Sequence, residues 1–177
     1  MQNLGDVVRD AKIGDLRRIV EIYNAAIPGR MATADTECVT VDSRMKWFAE
    51  HEEKKLPLWV FEREGKILAW ISLQPFRDRP AYQKTAEFSI YVDPSHQKEG
   101  IGSRLLEMMV DCCPKFGISV LLGLIFSHNA PSLRLAKKFG FKRWGHLYGV
   151  TELDGEKKDV VIVGLNVVAN HRYNKQE

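Results

Sequence analysis

The chain has 177 residues and a net charge of +3, with 45% hydrophobic and 28% charged residues, the balance of a soluble globular domain that a single core can serve. That charge is too mild for the clustered basic surface of a nucleic-acid binder. Three cysteines (Cys38, Cys112 and Cys113), with no Cys-x-x-Cys or His/Cys cluster, argue against a disulfide framework and against a metal site. No stretch has the length of a signal peptide's apolar region or of a membrane span, so a cytoplasmic protein is expected, with neither a membrane nor a nucleic-acid partner.

In chain order, "DVVRDAKIGD" reads as a short strand entering a turn. From Asp15, a plausible N-cap, Leu16, Ile19, Val20, Tyr23 and Ala26 recur at helical spacing. The polar stretch "PGRMATADTECVTV" carries no period. A second helix, "DSRMKWFAEHEEKK", is expected to turn Met45, Phe48 and Ala49 inward. The period then changes to that of strands. "LPLWVFEREGKILAWISLQPF" predicts a hairpin around Glu64-Gly65, and "KTAEFSIYV" predicts the next strand. "SRLLEMMVDCCPKFG" is helical up to Pro114 and Gly117. The continuous apolar run "ISVLLGLIF" predicts a strand covered on both faces. "NAPSLRLAKKFGF" opens with Asn129 as cap and Pro131 in the first turn, and ends at Gly140. "KRWGHLYGVTE" and "KDVVIVGLNVV" make a strand pair around Asp154-Gly155. The order β-α-α-β-β-β-α-β-α-β-β belongs to the α+β (α/β mixed sheet) class, a central sheet flanked by helices.

The stretch "TAEFSIYVDPSHQKEGIGSRLLEMM" holds the chemistry. Along the strand Ala86, Phe88, Ile90 and Val92 share one face, and Glu87, Ser89 and Tyr91 share the other. An acid on a strand is followed at once by a glycine-bearing loop that opens a helix, whose start offers unpaired N–H groups and the positive end of a dipole. A dinucleotide fingerprint is excluded because Leu105 stands where its third small residue belongs, and a Walker loop because Gly-Lys-Ser/Thr is missing.

"Gln97-Lys98-Glu99-Gly100-Ile101-Gly102" after "YVDP" resembles the Gln/Arg-x-x-Gly-x-Gly/Ala signature of the GNAT superfamily of acyl-CoA N-acyltransferases. "Asn129-Ala-Pro-Ser132-Leu133…Phe139-Gly140-Phe141" is similar to its later helix. "Arg79-Pro80-Ala81-Tyr82…Thr85-Ala86-Glu87" is similar to the phosphinothricin acetyltransferase-like branch. The resemblance runs over about residues 6–168 and implies a single N-acetyltransferase domain over 1–177 with the GNAT-like fold, a homodimer and acetyl-CoA as cosubstrate. The implied acceptor is a small-molecule primary amine, an amino acid or analogue of the phosphinothricin or methionine sulfoximine type. A protein N-terminus or polyamine as acceptor, or a non-catalytic acyl-CoA-binding regulator, are the alternatives.

The same resemblance implies the roles. Glu87 is the general base. The Val92 N–H supports the carbonyl oxygen. The backbone of Ile90, Tyr91 and Val92 pairs with the pantetheine arm. Gln97, Lys98, Glu99, Gly100, Ile101, Gly102 and Ser103 hold the diphosphate, with Lys98 and Arg104 adding charge, and Asn129 and Ser132 complete the cofactor-binding set. Arg79 and Tyr82 are expected to hold a substrate carboxylate, with Arg30 and Thr33 as further candidates to line that pocket. The chain departs from the pattern at Ala136, where many members carry a Tyr or His that protonates the leaving thiolate; either solvent or another group supplies the proton, with Ser132 and Tyr91 as substitutes that nothing in the spacing selects, or catalysis is feeble. His128, His146 and His171 are assigned nothing, and Trp47, Trp59, Trp70 and Trp144 read as core or dimer contacts.

Overall fold

The computed structural model describes residues 5–167, so His171 and the last residue of the final predicted strand lie outside the described residues. The elements follow the predicted order: β1 (Asp6–Asp10), α1 (Leu16–Ala26), α2 (Val41–Lys54), β2 (Leu58–Arg63), β3 (Lys66–Pro75), β4 (Thr85–Val92), α3 (Ile101–Cys112), β5 (Val120–Phe126), α4 (Ala130–Lys138), β6 (Lys142–Leu153) and β7 (Glu156–Asn166). The seven strands form one mixed sheet, β1-β2-β3-β4-β5-β7-β6, in which β4 and β5 are parallel. The residues group into two compact units, Met1–Leu73 with Ser89–Leu105 and Gln74–Phe88 with Leu106–Glu177.

In the first unit, Leu16, Ile19, Val20 and Ile22 of α1 join Phe48 of α2 and Leu58, Val60, Ile67 and Trp70 of the β2–β3 hairpin in one buried cluster. Burying such a stripe is what holds a helix of eleven residues in place. Asp15 does precede α1, but its side chain does not cap that helix. Its carboxylate accepts the Lys12 N–H at 2.7 Å and pairs with Arg9 at 2.6 Å, bracing the single 3-10 turn that leads in. Thr40 caps α2, its hydroxyl accepting the Ser43 N–H at 3.1 Å. The inner face of α2 differs from the prediction: Phe48 is buried, but Met45 is 44% exposed and Ala49 is exposed. Phe48 and His51 are the buried residues of α2, with Val41, Arg44 and Trp47 half-buried on the same side, and two of these five are polar. The hairpin turns where predicted, with Glu64 at φ 51° and Gly65 at φ 74°, as a two-residue turn of this hand requires.

In the second unit β4 pairs with β5 from Thr85↔Val120 to Glu87↔Leu122, and β5 pairs antiparallel with β7. β5 is not covered on both faces as predicted, since Leu124 is 46% exposed. Gly123 lies under the Phe88 ring so closely that a Cβ there would stand 2.7 Å from Phe88 Cε1. The ring in turn packs on Phe141 at 5.2 Å. α3 begins at Ile101, two residues before the predicted start, and passes through a 3-10 turn over Cys113–Phe116 to Gly117. β6 and β7 turn at Asp154-Gly155.

Candidate active site

The alternation of β4 places Ala86 and Phe88 in the core and Glu87 on the other face. Glu87 is half-buried rather than solvated, and Ile90 and Val92 are half-buried too, so the clean apolar face predicted for the strand fades along its second half. Burial pushes the Glu87 carboxyl above its ordinary value, and the positive charge of Arg77 pulls it only part of the way back. Arg77 was not foreseen. Its guanidinium lies over the Phe76 ring at 4.9 Å, and Tyr82 meets the same ring edge-on at 5.7 Å. The structure thus joins Tyr82 to Arg77 through Phe76, while Arg79 opens the 3-10 turn Pro80–Tyr82, its carbonyl accepting the Tyr82 N–H at 2.9 Å. Both arginines stand in the stretch "FRDRP", and nothing in the sequence ranks one above the other.

The end of β4 is anchored by aromatic packing. Tyr91 stacks on Trp70 at 4.7 Å, meets Tyr23 edge-on at 4.9 Å and donates its hydroxyl to the Ala32 carbonyl at 3.0 Å. Burial raises its pKa, which makes it a poor candidate for a substitute acid. Tyr23 donates to Asp35 at 2.5 Å and shares a hydrogen bond with the buried Thr33 at 2.5 Å. Arg44 pairs with Asp35 at 3.0 Å and lies over the Tyr23 ring at 4.8 Å. The Asn24 amide closes on both backbone groups of Val39 at 2.9 Å. The stretch without sequence period is therefore fastened to α1, α2 and β4 by specific polar contacts. Thr33 serves this fastening, and Arg30 donates to the Thr36 carbonyl at 3.1 Å.

Beyond β4 the Asp93 N–H donates to the Leu68 carbonyl at 2.8 Å, and its carboxylate accepts the Ser95 N–H at 2.8 Å and an Arg18 N–H. Lys98 (φ 65°) and Gly100 (φ 83°) are left-handed, and the first backbone bond of α3 runs from Arg104 N–H to Gly100 carbonyl at 3.1 Å. The N–H groups of a first helical turn have no acceptor within their own helix, and they carry the positive end of its dipole. Gln97, Lys98, Glu99 and Gly100 are exposed and Ile101 is buried, so the turn is rooted below and open above. The Glu99 carboxylate points sideways, to Arg63 at 2.6 Å and His96 at 3.1 Å. Arg104 is partly committed, facing Asp6 at 3.4 Å and the Phe61 ring at 5.6 Å. A helix N-terminus, glycines at 100 and 102 and a compensated acid suit a diphosphate.

The second motif has a local structural duty. Asn129 is buried, and its Oδ1 accepts the Ser132 N–H at 3.1 Å, capping α4. Ala136 is 1% exposed, a core position of that helix. His128 stacks on Phe126, and His146 pairs with Asp159 at 2.7 Å. Trp59 and Trp70 are buried, Trp47 is half-buried, and Trp144 is largely exposed. Among the described residues no group of His, Cys, Asp and Glu is placed to hold a metal ion, and no helix is long and apolar enough to cross a membrane.

The model of the Acetyltransferase (GNAT) family matches residues 17–141, which include β4, the loop after it and α4. The chain belongs to this family. It is 48% identical to the phosphinothricin acetyltransferase-like protein YwnH of Bacillus subtilis, over 89% of the chain and 96% of the relative. It is 33% identical to the L-methionine sulfoximine/L-methionine sulfone acetyltransferase of Salmonella typhimurium, over 76% and 78%. The crystal structure of a GNAT superfamily phosphinothricin acetyltransferase from Sinorhizobium meliloti in complex with acetyl-CoA superposes with a TM-score of 0.86 at 26% identity, covering 92% of this chain and 88% of that one. The GNAT assignment and the mixed-sheet fold expected from the motifs both hold, and the protein is a GNAT acetyltransferase.

Proposed function

We propose that this GNAT enzyme transfers the acetyl group of acetyl-CoA to the primary amine of a small molecule, an α-amino acid or analogue of the methionine sulfoximine or phosphinothricin type. It does so as one domain, in the cytoplasm and as a homodimer. The observation that carries the chemistry is Glu87, a half-buried carboxyl on β4 whose affinity for protons is raised by burial. No hydrogen bond to that carboxylate is made among the described residues. A carboxylate so placed is a base in waiting, because an ammonium cannot attack a thioester until a proton leaves it. In the step proposed, Glu87 takes one proton from the ammonium, the C–N bond forms, the C–S bond breaks with its electron pair leaving on sulfur, and the acetylated nitrogen gives up its second proton to solvent. The Val92 N–H donates to the carbonyl oxygen as charge builds there; one donor of this kind is worth about 3 kcal/mol.

Ile90, Tyr91 and Val92 offer backbone groups to the pantetheine arm, the stretch from Gln97 to Ser103 holds the diphosphate, and Asn129 and Ser132 shape the cofactor side through the cap of α4. Arg77 joins Arg79 and Tyr82 as a group for the acceptor's carboxylate. Because Ala136 carries no proton, the thiolate leaves without a dedicated acid from that helix. The test is release of free thiol from acetyl-CoA with a panel of amino acids, polyamines and peptides. Release with methionine sulfoximine or phosphinothricin supports the reading. Release with peptides or polyamines alone moves the acceptor class, and binding of acetyl-CoA without release from any acceptor refutes turnover.

A further inference from the structure

The loop that opens α3 contains an acid where a diphosphate is to bind, and the structure shows what is done with it. β1 and β2 pair so that Asp6 stands opposite Arg63. Arg63 donates from Nε to one Asp6 oxygen at 2.7 Å and from Nη2 to the other at 3.3 Å. Its remaining arm, Nη1, reaches Glu99 Oε2 at 2.6 Å, and Glu99 Oε1 lies 3.1 Å from His96 Nδ1. Glu99 sits between Lys98 and Gly100, the two left-handed residues of the loop. A lysine pays a steric penalty in that conformation and keeps it only where the surroundings impose it.

We infer that Arg63, itself oriented by Asp6, is a positioning residue for the coenzyme: through Glu99 it holds the Lys98–Gly100 backbone in shape and cancels an acid two residues before the helix start. The inference rests on the reading of this loop as the diphosphate site. Without Arg63, Glu99 keeps its negative charge beside a negatively charged ligand, and the loop loses its lateral tie. Both effects weaken coenzyme binding and leave the chemical step alone. Burial of the pair is partial, with side-chain exposures of 25% and 38%, so the effect is screened but not abolished by salt.

The experiment measures CoA binding by calorimetry, and KM for acetyl-CoA and kcat by thiol release, for the wild type, Arg63→Gln, Glu99→Gln and the double variant. Arg63→Gln is expected to raise Kd and KM on the order of tenfold, with kcat within about twofold. Glu99→Gln loses the lateral tie but also the acid, so it is expected to raise Kd less than Arg63→Gln does. The double variant binds better than Arg63→Gln and about as well as Glu99→Gln, because the acid beside the ligand is gone while Asp6 still faces Arg104 at 3.4 Å. If Arg63→Gln does not fold, Arg63→Lys is read instead, with a smaller rise in KM expected and an unchanged KM refuting the inference. Unchanged CoA binding in Arg63→Gln overturns the inference, as does a double variant that binds no better than Arg63→Gln, since Arg63 would then be only a brace of the fold. A wild type that binds no CoA overturns the reading of the loop and the inference with it.

Discussion

Replacing Glu87 by glutamine keeps the shape of the side chain and removes its charge, which separates the work of a base from the work of packing. A positioned general base contributes about 10²–10⁴-fold, equivalent to roughly 2.7–5.5 kcal/mol of barrier at 1.36 kcal/mol per decade. The assay is kcat/KM by thiol release across pH 5–9. The wild type is expected to lose activity on the acid side as Glu87 protonates, at a pKa above 4.5 because burial outweighs the pull of Arg77. The variant lacks that limb as well as the rate. Stability moves the opposite way. A carboxyl with a raised folded pKa binds more protons folded than unfolded, so stability falls as pH rises from 4.5 through the folded pKa and stays lower above it. Glu87→Gln therefore unfolds at higher denaturant than the wild type at pH 7, and the two converge below pH 4. A variant with activity within threefold of the wild type, or one that keeps the acid limb, would refute Glu87 as the base.

Three further outcomes follow from the same structure. Arg77→Ala moves the acid limb of the pH–rate profile upward, because the charge that favours the Glu87 carboxylate is gone; a limb that stays put would show that Arg77 does not act on it. Gly123→Ala forces the Phe88 ring from a contact of 2.7 Å, at a cost of about 1–3 kcal/mol, read as a fall of several degrees in Tm. An unchanged Tm would mean the ring has free space to retreat into. His51 is buried on α2, and burial lowers its pKa more than its hydrogen bond to the Trp47 carbonyl raises it. Its folded pKa lies below the unfolded 6.5, so stability is full above about pH 6.5 and is lost as pH falls toward the folded value. Urea unfolding at pH 7 and pH 5 should show a smaller loss in His51→Gln than in the wild type.

Each element existed where the sequence placed it because the signals were short-range: stripes at helical spacing in α1 and α3, alternation in β4, and paired turn residues at Glu64-Gly65 and Asp154-Gly155. The loop-and-helix motif was legible for the same reason, since its glycines and helix start are neighbours in the chain. The inner face of α2 was not, because Arg44 and His51 read as polar until Asp35, Tyr23 and the surrounding core are seen to receive them. Asp15 and Asn129 show both sides of the limit. Both stand where a cap was expected, but only the Asn129 side chain caps the helix that follows.

By itself, then, the order of residues determined the secondary structure, the family motifs and which strand carries an acid. Only the tertiary structure decided that this acid is half-buried and feels the charge of Arg77, and that Glu99 is met by an arginine 36 residues away in the chain. Backbone conformation answers to near neighbours along the chain. Desolvation and charge pairing depend on what the fold brings from far away, and those two quantities set the proton affinity of a base and the charge of a binding loop.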